Sequence, residues 1–125
     1  MPQTLLLLSL AGALGTLARY GMALLVSHLA GKDFPWSTLL INVLGSLLFG
    51  LVWTLVDERA HLSPKAGLVI LTGFMGAFTT FSTFAFESSQ LLRREEWGLA
   101  LTNVAAQNGI GILAVFAGIA LARAL

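Results

Sequence analysis

The sequence predicts an all-α membrane protein of four transmembrane helices, on three observations. Hydrophobic residues make up 57% of the chain. Charged residues make up only 10%, against roughly 25% in soluble domains. Apart from Arg19, Glu87 and Arg123, the charges cluster at Lys32 and Asp33, between Asp57 and Lys65, and between Arg93 and Glu96. The clusters separate four apolar stretches, at about 4–29, 35–56, 64–92 and 97–121. Each is longer than the ~20 residues needed to cross a hydrocarbon core at ~1.5 Å per residue. The 125 residues therefore form a single domain of four spans with short loops.

The first stretch opens as MPQTLLLLSLAGALG, with Ala11, Gly12 and Ala13 as a small-residue cluster. It is read as a span and not as a cleavable leader, because it lacks a basic start and stays apolar past Arg19 to about Leu29. An arginine near a helix centre costs about 2.5 kcal/mol or more in lipid, so Arg19 is expected to face protein or an aqueous vestibule that draws in anions. In the second stretch, Thr38 and Asn42 lie four apart and share a helical face, with Gly45 and Ser46 a turn further on. An asparagine amide there serves either as glue between helices or as part of a polar path.

The third stretch contains GFMGAFTTFSTF at 73–84, close to its midpoint. Gly73, Gly76, Thr79 and Thr80 combine low helix propensity with hydroxyls that bond the local backbone. They predict a helix broken near the membrane centre, where freed carbonyls suit a cation and freed amides an anion. Phe81 and Phe84 share a face beside Ser82 and Thr83, and the positive edges of their rings can line an anion path without trapping the ion. In the fourth stretch Asn103 and Gln107 lie four apart, with Asn108 turned away from Gln107. Glu87 is the one acidic residue near a span interior, and a pairing with Arg19 is open to it. His28 and His61 lie at helix ends and are expected to be solvated.

Several functions lose ground. Without cysteine there is no thiolate metal site or cysteine nucleophile. No hydrolase elbow, zinc-protease helix or phosphate-binding loop is present, so the chain is expected not to be an enzyme. A net charge of +1 does not suggest nucleic acid as a partner. The side holding the second loop and both termini carries Arg59, Lys65 and Arg123, and the other carries Lys32, Arg93 and Arg94. This balance has two readings: features other than loop charge fix one orientation, or the chain inserts both ways and pairs antiparallel. Four helices enclose little interior for these polar residues, which favours a dimer. Small-residue pairs at Ala11/Gly15, Ser46/Gly50, Gly73/Ala77 and Ala114/Gly118 would let helices approach closely in one.

The stretches GALGTLARY at 12–20, TLLINVLGSLLFG at 38–50 and above all GFMGAFTTFSTF resemble the Fluc (CrcB) family of fluoride channels over essentially the whole chain. The resemblance implies an antiparallel, dual-topology homodimer in the cell inner membrane or plasma membrane, each third helix broken at the membrane centre. It implies a sodium ion held there by the carbonyls of Gly76 and Thr79 from both subunits. It further implies two pores, with Asn42, Phe81 and Phe84 on the fluoride pathway, Thr38, Ser82 and Thr83 as polar neighbours, and Arg19 in a vestibule. Glu87 matches an acid that follows the family motif. Passive export through such a pore protects a cell in which HF enters and ionises. One region departs from the pattern: where many members carry tyrosine and serine in the fourth helix, this chain has Asn103 and Gln107, followed by Gly111 in the usual place. The polar track is then expected to run through amides.

The alternative is a small four-helix proton-coupled exporter of the multidrug resistance type. That mechanism needs a carboxylate within the first span, and 4–29 contains none.

Overall fold

A computed structural model describes residues 1–125 and is entirely helical. The chain runs through α1 (Pro2–Ala30), α2 (Trp36–Asp57), α3 (Pro64–Leu68), a π-helical stretch at Val69–Met75, α4 (Gly76–Phe78), α5 (Phe81–Arg93) and α6 (Trp97–Ala124). Four continuous or composite helices, Pro2–Ala30, Trp36–Asp57, Pro64–Arg93 and Trp97–Ala124, are long and apolar enough to cross a membrane.

Local chemistry sets the boundaries. Gly31 leaves α1 at φ 79°, a left-handed conformation in which a glycine has no Cβ to clash. Ser63 caps α3 by accepting a hydrogen bond from the Ala66 N–H at 3.1 Å, and Pro64 supplies a preset φ at the first helical position. Within the third span the π-helical stretch widens the backbone from Val69 to Met75. The helix then ends at Phe78: Thr79 and Thr80 are extended, at φ/ψ −82°/158° and −149°/115°. Thr80 restarts it by capping α5, its hydroxyl oxygen accepting from the Thr83 N–H at 3.2 Å.

Packing follows two seams. The first half of the third span lies against α1, where a Cβ on Gly73 would come within 2.8 Å of the Ala11 Cβ, and one on Gly15 would strike the Phe74 carbonyl. The second seam joins α2 to α6: a Cβ on Gly50 would strike the Val115 carbonyl, and one on Gly118 the Leu47 carbonyl. Lipid is as apolar as any side chain, so helices associate through such close contact. Ala11/Gly15 thereby meets Gly73/Ala77 within one chain, and Gly50 and Gly118 meet the facing helix of the same chain at Val115 and Leu47. These glycines make their close contacts within one chain. At one end of the second seam Arg123 donates to both Glu58 oxygens, at 2.6 and 2.7 Å.

Candidate functional site

The extended backbone at Thr80 is held by one side chain. Asn42, in the first third of α2, accepts the Thr80 N–H on its Oδ1 at 2.8 Å and donates from Nδ2 to the Thr80 carbonyl at 3.0 Å. An amide presents a donor and an acceptor side by side, so it can pair both polar groups of a residue that has left a helix. Gly45, one turn on, makes room: a Cβ there would overlap the Thr79 side chain.

The Thr80 N–H would, in a continuous helix, donate to the Gly76 carbonyl, and the Thr83 N–H to that of Thr79. Asn42 and the Thr80 hydroxyl take those donors instead. The Thr79 carbonyl accepts no hydrogen bond from the protein. Two carbonyl groups beside the extended residues have therefore lost their helical donors. The Thr79 N–H and hydroxyl both return to the Met75 carbonyl, at 3.0 and 2.9 Å.

A polar chain leads away from Asn42. Its Nδ2 donates to Gln107 Oε1 at 3.0 Å, Gln107 Nε2 donates to Asn103 Oδ1 at 3.4 Å, and Asn103 Nδ2 donates to Ser88 Oγ at 3.0 Å. The chain ties α2 to α6 and α6 to α5. Asn103 is fully buried, so its amide depends on these partners.

Asn42 and Gln107 open into a cavity of about 300 Å³ that Thr79, Thr80, Phe81 and Phe84 also line. Phe81 and Phe84 meet edge to face, their centroids 5.5 Å apart and their planes at 65°. Phe84 is buried, whereas Phe81 is 77% exposed on the surface of the single chain.

The structure thus brings together Asn42, Phe81, Phe84 and Gln107, with Asn103 directly behind. Other residues singled out in the sequence lie elsewhere. Thr38 is buried one turn before Asn42 and sits beside Glu87. Thr83 is engaged by the Thr80 cap, its hydroxyl oxygen accepting from the Thr80 hydroxyl at 3.0 Å. Ser82 is exposed next to Phe81. Asn108, by contrast, also lines the cavity of Asn42 and Gln107, while its Nδ2 donates to the Val104 carbonyl of its own helix. Glu87 faces a second cavity, of about 180 Å³, with Lys32, Asp33, Gln90 and Arg94, and its Oε1 is buried without a partner.

The pairing of Arg19 with Glu87 does not form. Arg19 lies on α1, which packs on the first half of the third span, while Glu87 lies on α5 beyond the extended residues. Arg19 has no ion pair or hydrogen bond to the protein and is half-buried.

Sequence reasoning missed Ser88. A signal for it existed: it follows the buried Phe84 by four residues and precedes the buried Leu91 by three, which puts a hydroxyl on the inner stripe of α5.

Comparison with known proteins agrees with this architecture. Residues 6–119 match the family model described as CrcB-like protein, Camphor Resistance (CrcB). A protein of Nitrosococcus oceani is 50% identical over 123 residues, covering 98% of each chain. One of Solidesulfovibrio magneticus is 53% identical over 116 residues, covering 93% of each. One of Nitratidesulfovibrio vulgaris is 47% identical over 121 residues, covering 97% of this chain and 98% of its own. All three are named fluoride-specific ion channel FluC. A match over nearly the whole length, in a chain with four spans and an amide-clamped interruption in the third, makes this chain a member of the CrcB-like family.

Proposed function

We propose that the chain is a fluoride-selective channel of the plasma membrane that lowers internal fluoride by passive export. One observation carries this reading: the cavity where the Asn42 and Gln107 amides meet the Phe81 and Phe84 rings, at the interruption of the third span. Amide N–H groups and ring edges attract a small anion without a fixed full charge that would hold it. The names of the relatives supply the identity of that anion. The exporter alternative lacks its carboxylate, since α1 contains no acidic residue.

The finer features belong to the same proposal. Two copies pair antiparallel, each third helix is broken at the membrane centre, and two pores form with residues from both subunits. The exposure of Phe81 at the open side of the cavity supports a second copy there, because a lone chain would leave half its pathway facing lipid. The balanced loop charge is compatible with insertion in both orientations. Arg19, unpaired, fits a vestibule that concentrates anions. Thr38, Ser82 and Thr83 are assigned as polar neighbours of the path.

A sodium ion at the dimer centre is part of the reading, and the donor set fits it. Carbonyl oxygens that have lost their helical donors are hard, neutral ligands suited to a monovalent cation. Gly76 and Thr79 would hold it, each through its backbone carbonyl. When bound, it would neutralise the carbonyl dipoles and fix the two interruptions against each other.

The test is reconstitution in liposomes loaded equally with fluoride and chloride, with efflux followed by ion-selective electrodes. Fast fluoride loss with chloride retained, together with slowed flux in Phe81→Ile, is the expected result. A folded dimer that passes no fluoride would overturn the channel reading.

A further inference from the structure

The Asn42 amide has no free hydrogen to offer an anion. A primary amide carries two N–H donors, and Asn42 spends one on the Thr80 carbonyl and the other on Gln107 Oε1, each at 3.0 Å. Its oxygen is also engaged, by the Thr80 N–H at 2.8 Å. An anion entering the cavity shared by Asn42, Phe81, Phe84 and Gln107 therefore finds a carbonyl oxygen already on the N–H it needs.

Behind that oxygen the hydrogen bonds run in one direction. Gln107 donates to Asn103, and Asn103 donates to Ser88. Every link points its donor away from the cavity. Gln107 cannot turn its amide over alone, because its oxygen would then face the Asn103 oxygen inside a buried site. The last member removes the obstacle: Ser88 is a hydroxyl, and an O–H group changes from acceptor to donor by rotating about one bond. Turning a primary amide over exchanges its donor and acceptor in nearly the same volume, so the fully buried Asn103 can turn where it stands.

We infer that the amide chain reverses when an anion arrives, and that Gln107 is thereby a second N–H donor to it. This rests on the fluoride-channel reading above. In the reversed arrangement Ser88 donates to Asn103 Oδ1, Asn103 Nδ2 donates to Gln107 Oε1, and Gln107 Nε2 turns towards the cavity. The anion lies between the Gln107 and Asn42 amides. The links among Ser88, Asn103 and Gln107 are kept in number, and no proton changes its owner. Asn42 exchanges a neutral acceptor for a charged one, and hydrogen bonds to ions are roughly twice as strong as neutral ones. The anion drives the turn. The 3.4 Å link between Gln107 and Asn103, near the limit of hydrogen-bonding distance, is the one that opens most easily. A small anion gains most, because attraction to converging N–H groups rises as the distance falls. The amides of this helix then form a relay in which the resting state occupies the ion's own site.

The test follows the side-chain amide N–H signals of Asn42, Asn103 and Gln107 by NMR, using the purified ¹⁵N-labelled chain in detergent with sodium fluoride or sodium chloride added. Fluoride is expected to move all three sets of signals together, and chloride none. Ser88→Ala removes the donor that the reversed chain requires. In that variant the Asn42 response is expected to persist, the Gln107 response to vanish, and fluoride affinity to fall ~10–100-fold, the worth of one hydrogen bond to a charged group. Ser88→Thr keeps a hydroxyl and is expected to respond as wild type. Signals of Gln107 and Asn103 that stay still while Asn42 moves, or wild-type affinity in Ser88→Ala, would overturn the reversal. Fluoride efflux from liposomes separates the two readings. Wild-type flux with a silent Gln107 sinks the reversal alone, whereas no flux and no Asn42 response sinks the channel reading beneath it.

Discussion

In the first half of the third span, residues 64–78, contact with α1 is made through small residues: Gly73 against Ala11, and Ala77 and the Phe74 carbonyl against Gly15. In the second half, α5, Asn103 on α6 donates to Ser88, while Thr80, which caps α5, is clamped by Asn42 of α2. The two halves belong to one span of 30 residues and meet at Thr79 and Thr80. One half is fastened by shape and the other by hydrogen bonds. Close packing is stiff and has one solution, because backbone in contact with backbone has nowhere to go. A hydrogen-bonded chain of amides can exchange partners at small cost. The rigid half therefore suits a frame, and the polar half suits a path along which an ion makes and breaks contacts.

The sharpest way to break the comparison is to disturb a seam made of backbone. Gly118→Leu drives a side chain into the Leu47 carbonyl and the Leu51 N–H, and overpacking of this kind costs ~1–3 kcal/mol or more. Loss of the monodisperse protein in size-exclusion chromatography is expected, with no flux to measure. Gly15→Ala is milder but still meets the Phe74 carbonyl, so a clear fall in Tm is expected. Gly21→Ala, on the same helix with open space around it, is the control and should hold or slightly raise Tm.

Thr80→Val tests the junction itself. It removes the cap that restarts α5, worth ~0.5–2 kcal/mol, yet leaves both backbone bonds to Asn42. A modest drop in Tm with faster hydrogen exchange at Thr83 is expected, and an unchanged Thr83 would argue against the cap.

The smallest effect concerns the Arg123–Glu58 pair at the end of the α2–α6 seam. The two bonds from the Arg123 guanidinium hold the Glu58 carboxyl below its ordinary value. A carboxyl lowered in the folded state stabilises the fold above its unfolded value, and that support is lost as pH falls through the lowered one. The pair is exposed, so screening by solvent keeps it small. Tm in detergent should therefore decline slightly on acidification in wild type, and by less in Glu58→Gln.

Much of the frame was legible in the sequence, because crossing a bilayer demands long apolar runs and charge marks where they stop. The region of the interruption was legible too: Gly73, Gly76, Thr79 and Thr80 are poor helix formers, and Asn42 stood out as an amide in an apolar span. Partner choice was not. Spacing shows which face of a helix a residue occupies, but not what lies opposite. The small-residue pairs therefore read as dimer contacts, whereas Gly15, Gly50, Gly73 and Gly118 each meet another helix of the same chain. The same limit hid Ser88, whose hydroxyl matters only because Asn103 stands against it, and left Arg19 beside Glu87 on paper. The π-helical stretch at Val69–Met75 left no mark in composition.

The central claim is that the amide of Asn42, clamping the interruption, is where the ion passes. Fluoride efflux from liposomes holding equal amounts of wild type and Asn42→Ala tests it most directly. The substitution removes three hydrogen bonds, among them the N–H that Gln107 Oε1 holds at the cavity. Efflux at least ~10-fold slower from a variant that remains monodisperse is the predicted result, the loss expected for one hydrogen bond to an ion. Wild-type efflux through Asn42→Ala would contradict the account.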